Sequence, residues 1–133
     1  MQLLPDLTQC SRNESYSAVV PCVVHRRQHA ASIVHGFLSR VVASIYEVDT
    51  TLLTAPSRGS AHVAFARQIA MYLAHVSCGL TLTEVGHQFG RDRTTVAHAC
   101  EVIEEQRENP AFDEMIELLE NSVAVIRLTR EGM

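Results

Sequence analysis

Lysine is absent. All eleven basic residues are arginine, and they face fifteen acids for a formal net charge of −4. The phosphate-binding loop GxxxxGK[ST] is therefore also missing, so no nucleotide is expected as a ligand. No apolar run approaches the roughly 18 residues that a membrane-spanning helix needs, and no membrane partner is expected. The opening MQLLPDLTQ has no basic stretch and is broken by Pro5 and Asp6, which argues against a secretory leader and for a cytoplasmic location. Cys10, Cys22, Cys78 and Cys100 form no CxxC pair, and Cys22 with His25 is only half of a metal-ligand set. Neither metal nor cofactor is called for. No nucleophile, base and orienting group assemble, so an enzyme is not expected. Strand signals are lacking too, since Pro21 interrupts SAVVPCVV. An all-α chain remains.

What charge there is lies unevenly. Residues 1–100 carry eight arginines against six acids, a balance of +2, and residues 101–133 carry three against nine, a balance of −6. An acidic total is thus compatible with a basic docking face in the middle of the chain. Residues 1–29 mix Pro, Ser, Asn and Gln without periodicity and are expected to form a flexible arm. Residues 30–133 have the length of one compact domain, a helical bundle of about five to six helices.

Apolar spacing places those helices. A first helix ends near Val48, with Ile33, Phe37, Val41 and Ile45, and their neighbours Val34, Leu38 and Val42, making a wide apolar face. Asp49 is placed to cap a short second helix that Pro56 stops. After the loop PSRGSA, a long helix from about Ala61 to Cys78 turns Phe65, Ile69, Tyr72, Leu73 and Val76 inward, and Gly79 terminates it. Thr81 and Glu84 fit a capping box for a short helix ending at Phe89–Gly90. Beyond Asn109–Pro110, a last helix sets Phe112, Ile116, Leu119, Val123 and Ile126 against a face of glutamates read as solvated.

The stretch FGRDRTTVAHACEVIEEQ, residues 89–106, is the informative one. Val96, Ala99, Cys100 and Ile103 give a buried helical stripe, which leaves Arg91, Asp92, Arg93, Thr94 and Thr95 at the mouth of the helix. That mouth is the positive end of the helix dipole, suited to gripping an anion or a strip of anions. Two helices joined by a tight Gly-containing turn, the second bearing exposed polar residues at its start, describe a helix-turn-helix.

Residues 66–107, ARQIAMYLAHVSCGLTLTEVGHQFGRDRTTVAHACEVIEEQR, resemble the C-terminal DNA-binding domain of the bacterial replication initiator DnaA. That family is marked by an RQ(M/I)AMxLA helix, an LxE(I/V)GxxFG helix and the signature GGRDHTTVxHA. The resemblance extends over about residues 33–126. It implies a DNA-binding module without the initiator's ATPase domain, whose recognition helix enters the major groove while a basic loop reaches the minor groove. By that resemblance Asp92, Arg93 and Thr94 face base edges, Thr95, Arg67 and Gln68 contact phosphate, and Arg58 is what remains of the minor-groove loop. The chemistry agrees: arginine can fork onto guanine O6 and N7, aspartate can accept from cytosine N4, and a threonine methyl can meet that of thymine.

Several positions depart from the family. GRDRTTV has one glycine fewer, and Arg93 stands for the signature histidine. His75 stands for a groove-reading lysine, and Thr83 for a proline near the start of the short helix. The thinned loop predicts weaker or altered DNA binding. Asp92 also suits the N-cap, and Arg67 suits an ion pair with an acid on a neighbouring helix equally well. The expected function is sequence-specific binding of double-stranded DNA at an initiator-box-like site, on the nucleoid, in control of replication or transcription. The alternative is a protein-interaction adaptor that has given up DNA and meets the replication initiator, or another protein, through the acidic last helix.

Overall fold

The computed structural model describes residues 35–131; the expected arm, residues 1–29, lies outside them. Among the described residues there are six helices and no strand. The fold is all-α, as the periodicity requires.

The first helix, α1, runs over residues 35–46. It stops two residues before Val48 because Glu47 turns into the left-handed region at φ 54° and the Val48 N–H closes onto the Ala43 carbonyl at 2.9 Å. Its inner face is Leu38, Val42 and Ala43, while Phe37 and Ile45, expected on the apolar face, are exposed by 37% and 44%. Helix α2, Thr50–Leu53, starts where Asp49 accepts a hydrogen bond from the Thr51 N–H at 2.9 Å.

Helix α3, Ala61–Val76, is the central rod, capped by Ser60. Ala66, Ile69, Ala70, Leu73 and Ala74 are completely buried, so neighbours cover it on several sides. The expected inward position of Val76 does not hold: with the helix ending there, its side chain is 48% exposed. Phe65 sits in an aromatic string, 5.9 Å from Tyr46 on one side and 5.8 Å from Phe112 on the other, which joins α1, α3 and the last helix.

Helix α4 covers Leu82–Phe89, α5 covers Arg93–Gln106 and α6 covers Pro110–Glu131. The Asn109 side chain accepts from the Ala111 N–H, and Pro110 takes a first-turn position where its missing N–H costs nothing. Side chains lock the α5–α6 joint. Arg107 donates to Asp113 at 2.5 Å, to Glu120 at 3.0 Å and to the Tyr72 hydroxyl at 3.0 Å, and that hydroxyl donates to Glu104 at 2.6 Å. Glu120 therefore leaves the solvated face expected for the glutamates of α6. Burial, reinforced by the hydrogen bond to Glu104, pushes the Tyr72 phenol up to about 12.

Candidate nucleic-acid interface

Helices α4 and α5 are joined by Gly90, Arg91 and Asp92 alone. The corner forms because every residue in it has a local reason. Thr81 and Glu84 make the reciprocal capping box that starts α4, at 3.1 and 2.8 Å. Gly90 ends that helix with φ 66°, the left-handed conformation that glycine adopts without a steric penalty. The Arg91 N–H then bonds the Gly86 carbonyl at 2.9 Å. Asp92 caps α5, its Oδ1 accepting from the Thr95 N–H at 2.7 Å. That backbone hydrogen bond, first among its causes, holds the Asp92 carboxyl below the usual carboxylate range.

Gly86 is a requirement that composition and spacing did not single out. A Cβ there would collide with the carbonyl oxygen of Arg91, so the helix and the turn touch backbone to backbone. The available signal was a glycine inside an eight-residue helix, four residues before Gly90.

Beside the corner lies a cleft of about 410 Å³ between α3, the first half of α5 and the loop at residues 54–60. Arg58, Arg67, Gln68, Arg91, Thr95 and His98 supply its polar lining, and no acidic side chain joins them. Five expected site residues, Arg58, Arg67, Gln68, Arg91 and Thr95, are thus brought to one surface. Asp92, Arg93 and Thr94 lie outside this lining, on the exposed start of α5, and Thr83 is exposed on the first turn of α4.

The five are not alike. Arg58 and Thr95 are exposed and Gln68 is half-buried. Arg67 is only 4% exposed. Its guanidinium donates to the carbonyls of Leu53 and Leu52 at 2.8 Å each and of Arg58 at 3.0 Å, so the partners it has found are carbonyls rather than the expected neighbouring acid. Half-buried Arg91 donates to Phe89 and Ala55 at 3.0 and 2.9 Å, and to Gly90 and Ser57 at 3.3 and 3.2 Å. Burial, and then the charges of Arg91 and Arg58, lower the Arg67 pKa, the mark of cations gathered without a carboxylate between them. His75 sits apart, its Nδ1–H donating to the Leu80 carbonyl at 2.7 Å.

Helix α5 has no acid in its first turn and no base in its last, while Glu101, Glu104 and Glu105 crowd its C-terminal half. The positive end of its dipole therefore adds to the field of Arg91 and Arg93. Exposed Arg93, Thr94 and Thr95 beside an acid-free cationic cleft make a surface for a polyanion.

Fold and corner together define a helix-turn-helix protein. The chain matches the family model described as the bacterial DnaA protein helix-turn-helix over residues 37–103, and it belongs to that family. It is similar to the chromosomal replication initiator protein DnaA of Symbiobacterium thermophilum, with 43% identity over 84 residues, which is 62% of this chain and 18% of that protein. The chain thus spans about a fifth of the length of that relative.

Proposed function

We propose that the protein binds double-stranded DNA in a sequence-specific manner at sites resembling initiator boxes, acting on the nucleoid in the control of replication initiation or transcription. The observation that carries this reading is the exposed first turn of α5 set beside a cleft lined by three arginines and no acid. Arg93 forks onto guanine in the major groove, and the Thr94 methyl meets thymine. Asp92 keeps Oδ2 for cytosine N4 while Oδ1 holds the Thr95 N–H. Thr95, Gln68 and Arg58 serve phosphate oxygens, as does Thr83 on the exposed first turn of α4. Arg67 and Arg91 contribute through their charge and through the loop they hold.

Fluorescence anisotropy on a duplex bearing the initiator box and on a scrambled duplex, across a salt series, tests this. Preference for the box supports a role at initiator sites. Equal, salt-sensitive binding to both supports DNA binding with a different target. No binding to either at low salt overturns the reading. In that case the exposed Leu118, Val125 and Leu128 on α6, 62%, 61% and 68% accessible and accompanied by Glu114 and Glu117, favour the adaptor.

A further inference from the structure

The loop that carries Arg58 has a short sequence, PSRGS, and no apolar anchor of its own. Its conformation comes from elsewhere. Arg67 on α3 and Arg91 in the turn between α4 and α5 together take the carbonyls of Leu52, Leu53, Ala55, Ser57 and Arg58. Arg91 works in two directions: its Nη1 closes the end of α4 on Phe89 and Gly90, and its Nη2 reaches across 36 and 34 positions of sequence to Ala55 and Ser57. A planar guanidinium can hold two such targets at a fixed separation, whereas a lysine ammonium is a single point of charge.

We propose that Arg91, acting with Arg67, is a positioning residue that straps loop 54–60 to the helix-turn-helix corner, so that Arg58 and the first turn of α5 meet DNA at a fixed spacing. The proposal rests on the DNA-binding reading above for its consequence, but not for its geometry. Fork shape, rather than charge, is what the strap requires. A residue present only to attract phosphate has no need to turn both its terminal nitrogens onto carbonyls. A residue present only to stiffen the loop has no need to stand beside two other cations. Arg91 does both, which makes sequence discrimination sensitive to a change that leaves the charge intact.

The discriminating variant is Arg91→Lys, compared with Arg91→Ala and with the parent. Hydrogen exchange of the free protein is expected to show amides in residues 54–60 opening about tenfold faster in both variants, because neither keeps the fork. On DNA, the preference for the box over scrambled sequence is expected to fall about tenfold in both. The salt dependence on scrambled DNA should fall in the alanine variant and be restored by lysine, since that quantity counts charges. Arg58→Ala supplies a second measurement: it should cost box affinity in the parent and little more in the Arg91→Lys background, the coupling expected of two residues acting as one unit. Arg91→Lys matching the parent in loop exchange and in discrimination would overturn the proposal. A parent that binds neither duplex at low salt sinks the functional reading instead, and loop exchange then decides the strap by itself.

Discussion

Arg93 and Gly86 lie on either side of the turn between α4 and α5 and do opposite things. Arg93 is exposed, and among the described residues its guanidinium has no hydrogen-bond partner. Arg93→Ala is expected to weaken binding to the preferred site by about 1–3 kcal/mol with loss of discrimination at one base pair. Titrations against single-base variants of the site would reveal it, and unchanged discrimination at every position would remove Arg93 from the groove. Gly86 is buried, and any side chain there must displace the Arg91 backbone, not a flexible side chain. Gly86→Ala is expected to cost about 1–3 kcal/mol of stability in urea unfolding, the usual range for overpacking. A neutral result would mean that the corner has more slack than its geometry suggests.

At the scale of the element, short-range chemistry was readable in advance. Asp49, the Thr81–Glu84 box, Gly90 and Asn109–Pro110 act on neighbours two to five residues away, and Gly79 takes the left-handed conformation at φ 73°. The helices they bound fall where spacing puts them, with ends shifted by about two residues at Val48 and Cys78. What sequence left open was which groups meet across the fold. Arg67 reaches Leu53 over 14 positions, Arg91 reaches Ala55 over 36, and Tyr72 reaches Glu104 over 32. No local pattern separates an arginine that holds carbonyls from one that waits for phosphate. The inner face of α1 was hidden for a related reason, since apolar residues surround that helix and only its neighbours choose between them.

The aspartate caps carry a pH signature at this scale. Asp49 and Asp92 are both held below the ordinary carboxylate range, chiefly by the backbone N–H groups of Thr51 and Thr95. A folded-state pKa lying below the unfolded one gives stability that is fully present above the unfolded value and is lost as pH falls through the folded one. Helix-monitored melting should therefore decline below about pH 4, and Asp92→Asn should flatten that decline. An unchanged acid limb in the variant would show that the Asp92 cap contributes little.

For the molecule as a whole, the few cations gathered at the proposed face set the strength of its grip. With four arginines at the proposed face, Arg58, Arg67, Arg91 and Arg93, the logarithm of affinity should fall with the logarithm of salt at a slope no steeper than about −4. A steeper slope would mean that basic residues outside this face take part.

Along α5, Arg93 at the positive end and Glu101, Glu104 and Glu105 toward the negative end run against the helix dipole, and the Asp92 cap and the C-terminal Arg107 offset them only in part. Each such placement costs about 0.3–1 kcal/mol at low ionic strength and is screened as salt is added. Ionic strength therefore pulls the free molecule and its complex in opposite directions. Added salt should raise the melting temperature of the protein alone while it loosens the protein from a duplex. Between the two, a polyanion laid along the mouth of α5 relieves a self-repulsion that the unbound chain has to carry.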